Sequence, residues 1–336
     1  MSNESWKSEM TNKRHFSFKV HQDPITIEIP EDIQRSLEEK DWKTYTRLCA
    51  RYNIKPVEYI RYLEEEYNCD FRVVGDLIID MDVVNNFNFL DGVSLLDINC
   101  LLLNGRKNYT FNLSNLERVY LPNLASMLIK NPCGQISNLE TLNLDSLRVL
   151  TLNISIENIR RLNLKNLFRL NITQNFPSEI TLDFLNNSDM ESLSQLFFEG
   201  SLFIDDLRLD LVDWGRYVKL QTLKLNRIYG ALINSDPNIV IDNKLEILNK
   251  LTYLHLLAGN LSVKGNVNLP NLNIASLKLK NIEDLQGLTL PNLKRLFISI
   301  ESLTGDDWPE MEYQIRKIID NKEVIIEGQP IWYVTR

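Results

Sequence analysis

Leu288-Thr-Leu290-Pro-Asn-Leu293-Lys-Arg-Leu296-Phe-Ile298 is one version of a phrase that recurs at least four more times in this chain of 336 residues. The others read Val119-Tyr-Leu121-Pro-Asn-Leu124-Ala-Ser-Met127-Leu-Ile129, Leu142-Asn-Leu144-Asp-Ser-Leu147-Arg-Val-Leu150-Thr-Leu152, Leu162-Asn-Leu164-Lys-Asn-Leu167-Phe-Arg-Leu170-Asn-Ile172 and, more loosely, Leu223-Lys-Leu225-Asn-Arg-Ile228-Tyr-Gly-Ala231-Leu-Ile233. A chain that repeats one structural unit presents an extended surface, so binding is the first function to consider.

The pattern L-x-x-L-x-L-x-x-L has a mechanical meaning. Its L-x-L step has period two, which sends both leucines to one side of a short strand and the residue between them to the other. The x-x steps turn the chain so that the next leucine re-enters the same core. Rungs begin near Leu116, Leu139, Ile159, Ile204, Leu220, Leu251, Ile274 and Leu293. The steps from Leu139 to Ile159 (20 residues), Leu116 to Leu139 (23) and Ile274 to Leu293 (19) fit a repeat of about 20–29 residues. The longer gaps, Ile159 to Ile204 and Leu220 to Leu251, require an irregular rung or an insertion, and Ile204 to Leu220 is too short for a full one.

Over residues 71–303 these positions resemble the leucine-rich repeat family. The match is degenerate. Asn226 follows Leu225 where the family usually places a buried Asn, whereas Pro122, Asp145 and Lys165 stand there in other rungs. The resemblance implies an α/β right-handed solenoid with a parallel sheet on its concave face, an irregular convex side, and an inner surface that grips another protein.

Four segments are expected: a flexible polar arm over 1–24, a helical cap over 25–70, the leucine-rich-repeat solenoid over 71–303 and an α/β C-terminal cap over 304–336. Gly is scarce (12) and Asn abundant, which suits tight rungs in which Asn side chains bond to nearby backbone. No apolar run approaches the roughly 20 residues of a membrane span. Met1–Lys19 lacks an apolar secretory core, so the expected location is the cytosol or nucleus. Cys49, Cys69, Cys100 and Cys133 are too far apart for a compact metal motif and read as reduced thiols. The sequons at Asn108, Asn112, Asn153, Asn171, Asn186 and Asn260 are expected to stay unmodified in that compartment.

The net charge of −8 sits in the end segments, and residues 71–299 are close to neutral, with 22 basic and 23 acidic side chains. The outward residues of the L-x-L steps are Tyr120, Asn143, Asn163, Arg208, Lys224, His255, Lys278 and Phe297. The neighbouring column contributes Arg161, Tyr253 and Arg295. If these strands form the concave sheet, its face is polar to mildly basic with aromatic anchors, which suits an acidic or mixed protein epitope. Each rung holds two such phrases, however. If the second forms the sheet, Arg148, Val149, Thr151, Phe168, Arg169 and Asn171 take the exposed positions instead. Scattered basic residues on an acidic chain argue against a nucleic-acid partner.

The N-terminal portion has a different grammar. Phe16-Ser-Phe18-Lys-Val20 and Ile25-Thr-Ile27-Glu-Ile29 alternate like strands. Three helices follow: one opening at Pro30-Glu31-Asp32, one capped by Asp41, and one after Lys55-Pro56 with Val57, Ile60 and Leu63 as its stripe. Ile29-Pro30-Glu31-Asp32-Ile33, Leu37, Asp41-Trp42 and Leu48-Cys49-Ala-Arg51-Tyr52 resemble an F-box, although Pro30 to Asp41 is about one helical turn short and Trp42 and Tyr52 are substitutions. That resemblance implies docking through Pro30, Ile33, Leu37, Leu48 and Cys49 onto the cullin adaptor of a ubiquitin ligase. The alternative is that these helices simply cover the first rung, as a solenoid requires. At the C-terminus, Thr304–Pro309 starts a helix with Met311, Ile315, Ile318 and Ile319 buried. Val324–Ile326 and Ile331–Val334 read as closing strands around Gly328-Gln-Pro330.

The three histidines, His15, His21 and His255, lie far from any candidate nucleophile, and the chain carries no phosphate loop, zinc-protease pair or nucleophile elbow. Asp80-Met-Asp82 begins like a calcium loop, but Val83 and Val84 break it. No catalytic residue, metal or cofactor is expected. Three functions fit: non-catalytic protein recognition, an F-box-type substrate receptor of a cullin-based ligase, and a structural or regulatory subunit of a larger assembly.

Overall fold

The computed structural model describes residues 30–52, 56–67, 75–84, 86–106, 110–114, 116–131, 135–141, 144–154, 159–178, 182–202, 206–227, 237–300, 308–319 and 323–328. Eleven parallel strands form one long sheet whose spatial order is the chain order. They are Asp76–Asp80, Cys100–Asn104, Ser126–Lys130, Val149–Asn153, Arg169–Ser178, Gln195–Leu202, Thr222–Arg227, Tyr253–Leu256, Ile274–Leu279, Arg295–Ile300 and Ile325–Gly328. Successive strands pair at offsets from 20 residues, Val149 to Arg169, to 31, Thr222 to Tyr253. The α/β architecture with its long parallel sheet and few helices resembles a leucine-rich-repeat protein, as the spacing predicts.

The stretch 288–298 shows how a rung is built. Leu288, Leu290, Leu293, Leu296 and Ile298 are all buried, while Thr289, Pro291, Asn292, Lys294 and Arg295 are exposed. Its second half supplies the strand of the long sheet. Its first half, Leu288–Thr289, pairs instead with Val267–Asn268 in a separate two-stranded ribbon. The same division holds at Val149–Asn153, where Leu150 and Leu152 are buried and Val149, Thr151 and Asn153 are half-exposed. In these repeats the second phrase carries the long sheet, whereas in the looser copy the opening Leu223-Lys-Leu225 lies in it, within Thr222–Arg227.

Further short parallel pairs lie outside that sheet: Thr110–Asn112 with Gln135–Ser137, and Asp206–Arg208 with Asn238–Asp242 and Asn260–Lys264. Because Asp206–Arg208 and Thr222–Arg227 belong to different sheets, the short step from Ile204 to Leu220 is not a repeat of its own. Near residue 178 the pairing of the fifth and sixth strands shifts register, and the helix Asp183–Asn187 occupies the long gap between them.

At four turns of the form x-Asn-Leu, three of them Pro-Asn-Leu, the Asn ties its rung to the one before. Asn123 donates to the Leu96 carbonyl at 2.7 Å, Asn166 to Asp145 at 2.9 Å, Asn271 to Asn249 at 2.5 Å and Asn292 to Pro270 at 2.7 Å. A turn carbonyl facing solvent has no strand partner, so a side-chain amide one repeat later satisfies it.

The N-terminal helices are α1 (Glu31–Glu38), α2 (Trp42–Arg51) and α3 (Val57–Tyr67). Asp41 caps α2 by accepting from the Thr44 N–H at 3.1 Å. Ile33, Tyr45, Cys49, Tyr59 and Leu63 join the same buried cluster as the strand leucines. Tyr59 donates its hydroxyl to the Phe89 carbonyl at 3.0 Å, and Tyr67 stacks on Phe89. At the other end, Trp308–Ile318 is helical with Ile315 buried, and Ile325–Gly328 extends the long sheet beside Arg295–Ile300. Glycine is needed at 328 because a Cβ there would come within 2.6 Å of the Trp308 ring. The expected strands at 16–20, 25–29 and 331–334, and Cys69 and Cys133, lie outside the described residues.

Candidate interaction face

A parallel sheet usually has both faces covered and reads as continuous apolar runs. Here one face is filled by the leucine core, and the other alternates half-exposed side chains along every regular strand. Strand register arranges these side chains into columns. The central column runs Ile78, Leu102, Leu128, Thr151, Asn171, Phe197, Lys224, His255, Ser276, Phe297 and Glu327.

Three zones follow from that order. The first three strands carry an aliphatic strip, Ile78, Leu102 and Leu128. In the middle, polar side chains bridge between strands: Asn171 donates to Thr151 Oγ1 at 3.0 Å, Arg169 donates to Gln195, and the Arg169 guanidinium lies 5.3 Å from the centre of the Phe197 ring. The last zone is aromatic and basic, with Lys224, Tyr253, His255, Lys278, Arg295 and Phe297.

This last zone holds an open pocket of about 190 Å3 lined by Tyr253, His255, Leu257, Ser276, Phe297, Ile298 and Ser299. The Tyr253 and His255 rings are nearly parallel at 9°, and the Tyr253 hydroxyl lies 3.5 Å from His255 Nδ1. Ser276 and Ser299 are the small buried members of the lining, 5% and 3% exposed. Neither His255 Nε2 nor Ser299 Oγ has a hydrogen-bond partner among the described residues. Burial, reinforced by the Lys224 charge, pushes the His255 imidazole down to about 4, so the ring is neutral near pH 7.

The expected site residues divide. Lys224, Tyr253, His255, Lys278, Arg295 and Phe297 lie together on this face. Tyr120, Asn163, Arg161 and Arg208 do not: Tyr120 and Asn163 form isolated bridges with Ser94 and Asp189, and Arg161 donates to Asn163 at 2.8 Å. Arg208 sits in the small three-stranded sheet, where it clamps Asp210 at 2.6 Å and 2.7 Å. Asn143 lies outside the described residues. The single column expected from the L-x-L pattern thus mixes two strand positions, because in the N-terminal rungs it follows the first phrase and in the C-terminal rungs the second. Val149, Thr151, Arg169 and Asn171 take the vacated positions, with Arg148 and Phe168 exposed just before their strands. Gln195 and Phe197, which no leucine phrase flagged, complete the face. Their signal was the Leu196-Phe-Phe198 alternation.

Of the residues expected to dock a cullin adaptor, Ile33 and Cys49 are buried in this chain's own core, at 2% and 0% exposure. Burial also raises the Cys49 thiol above its usual range, which keeps it protonated. Pro30, Leu37 and Leu48 are half-buried. Among the described residues, no group of three or more His, Cys, Asp or Glu could hold a metal ion, and no helix is long and apolar enough to cross a membrane.

No family model matches this chain, and no curated protein matches it. Four solved chains match, one of them an internalin from Listeria monocytogenes, at 16% identity over 80% of this chain and 88% of that chain, with a TM-score of 0.22. Nothing about this chain's function follows from a match so loose.

Proposed function

We propose that this chain is a non-catalytic recognition protein, a leucine-rich-repeat solenoid that holds a protein partner on the half-exposed, concave face of its long sheet. Residues 25–70 and 304–336 serve as its end caps, and the cytosol or nucleus is its compartment. The observation that carries this reading is the open parallel face itself. Its middle and C-terminal strands gather Phe197, Tyr253 and Phe297 with Lys224 and Arg295, a mixture of aromatic anchors and cations typical of interface centres.

The aliphatic strip Ile78, Leu102 and Leu128 favours a second reading, a subunit held permanently in a larger assembly, since obligate interfaces are the more apolar ones. The cullin-adaptor reading requires Ile33 and Cys49 to leave the core they share with Tyr59 and Leu63, which places it third.

The test is affinity purification from the native cell with mass spectrometry, comparing the full chain with Phe197→Ala/Phe297→Ala and with Ile78→Ser/Leu128→Ser. Loss of one specific partner from the aromatic variant, with unchanged far-UV dichroism and melting, supports transient recognition. Stoichiometric capture lost only from the aliphatic variant supports the assembly reading, and capture indifferent to both variants overturns the face as the binding surface.

A further inference from the structure

We propose that the aliphatic strip Ile78, Leu102 and Leu128 receives one amphipathic α-helix of a protein partner, laid across the strands with its N-terminus over Asp76–Asp80. The proposal rests on the reading of the half-exposed face as the binding surface, and it names what the first three strands of that face take.

Leu77, Ile79, Leu101, Leu103, Met127 and Ile129 turn to the buried side. Ile78, Leu102 and Leu128 alternate with them, so they point to the opposite face and stay half-exposed outside the core. Register makes them direct neighbours, Ile78 against Leu102 and Leu102 against Leu128. Asp76, Cys100 and Ser126 form the column on one side, and Asp80, Asn104 and Lys130 form the column on the other. The strip is therefore one side chain wide, runs across the strands and has largely polar borders, which is the footprint of a single segment rather than of a broad apolar interface.

Spacing decides the kind of segment. Ile78 and Leu128 are two strand spacings apart, about 9.6 Å. Two turns of an α-helix advance about 10.8 Å, so one apolar residue per turn stays over one strand per turn. An extended chain repeats its same-face side chains about every 6.6 Å, and three of them span about 13 Å, too long by most of a strand spacing. The columns of Asp76 and Asp80 lie about 13 Å apart along the strand, which admits a helix about 10–12 Å across. Charge decides the direction. Within the register of the first five strands, the charged residues on this face are Asp76 and Asp80 on the first, Lys130 on the third and Arg169 on the fifth. The partial positive charge of a helix N-terminus is favoured beside the two carboxylates, and the negative C-terminal end beside the cations.

The test is methyl NMR of the full chain, with Ile78→Val, Leu102→Met and Leu128→Met identifying the strip signals. The probe is a helical peptide of Ala and Gln with leucines at i, i+4 and i+7, and its isomer with leucines at i, i+2 and i+4 is the control. The expected result is a saturable shift of the strip methyls with the helical probe and none with the isomer. Leu102→Ser, its folding checked by melting, should weaken that binding about tenfold or more, the loss expected for one buried leucine. A nitroxide on the N-terminus of the peptide should broaden the Ile78 signals, and one on its C-terminus the Leu128 signals. Absence of a saturable shift, equal binding of the isomer, full affinity in Leu102→Ser or the reverse pattern of broadening overturns the proposal. Docking that appears only in Phe16→Ser/Phe18→Ser assigns the strip to this chain's own N-terminal arm, and strip signals that move with protein concentration alone assign it to a second copy. Either outcome also overturns the partner helix. Peptide docking alongside partner capture indifferent to both Phe197→Ala/Phe297→Ala and Ile78→Ser/Leu128→Ser sustains the helix site and removes the recognition reading. Capture lost from one of those pairs without peptide docking removes the helix alone.

Discussion

Asn292 donates its side-chain amide to the carbonyl of Pro270, one rung earlier, at 2.7 Å, and Asn271 does the same to Asn249. The recurring Pro-Asn-Leu is thereby more than a turn signal. It places a donor where the preceding rung leaves a carbonyl without a strand partner.

Asn292→Ala should lower stability by about 0.5–1.5 kcal/mol, the usual net worth of one hydrogen bond. Asn292→Asp should recover none of that loss at neutral pH, because a carboxylate has no proton to give. Urea unfolding of the two variants beside the parent checks both statements, and rescue by Asp would mean that the residue acts through turn propensity alone.

Gly265 and Gly287 both have positive φ, 74° and 86°. They differ in surroundings: a Cβ at Gly265 meets nothing within 4 Å, whereas one at Gly287 would lie 2.2 Å from the Gly265 carbonyl oxygen. Gly265→Ala should therefore cost only the left-handed strain, about 1 kcal/mol. Gly287→Ala must also separate the ribbon Val267–Asn268 from Leu288–Thr289, and should cost clearly more. Thermal melting of the pair decides, and equal costs would argue against the close approach.

Asp210 is 7% exposed and accepts from Arg208 and, at 3.1 Å, from Lys264, while Lys244 donates to its backbone carbonyl at 2.7 Å. Bonds from the Arg208 guanidinium, followed by those from Lys264, hold the Asp210 carboxyl down to about 2 despite its burial. Asp210→Asn keeps the shape but removes the charge that two cations share, and a loss of about 1–2 kcal/mol is expected. The folded state lowers this pKa, so the contribution is present above the unfolded value of 3.8 and fades as pH falls toward 2. The parent and Asp210→Asn should therefore converge in acid.

His255 acts in the same direction at higher pH and for a different reason, burial of a neutral ring. Its folded pKa is depressed to about 4, so protons bind the unfolded chain more readily between there and 6.5. Stability is then full above 6.5 and falls as the solution is acidified through that window, by up to a few kcal/mol. His255→Gln should flatten this limb of the profile. Denaturant melts of parent and variant across that range test it, and parallel curves would show that the imidazole is protonated freely in the folded state.

The leucine core was readable from the chain alone, because an inward face needs only period two within a phrase. Leu290, Leu293, Leu296 and Ile298 are buried as that alternation requires. Asp41 as the cap of α2 and the C-terminal helical stripe, with Ile315 and Ile319 buried, were equally legible, since capping and helical periodicity are local. The partition of each rung was not. Leu144 and Leu152 sit in identical L-x-L grammar, and only hydrogen bonding to a strand 20 to 31 residues away, as for Val149 with Arg169 or Thr222 with Tyr253, selects which phrase joins the long sheet. That choice removed Tyr120, Arg161, Asn163 and Arg208 from the face and brought in Arg169, Gln195 and Phe197. The open pocket lay further from view, because it joins Tyr253 and His255 to Ser299 through three stacked strands. Sequence determined which side chains are inside, and stacking decided which of the outside ones are neighbours, since pairing in a parallel sheet is a contact between rungs that no single rung encodes.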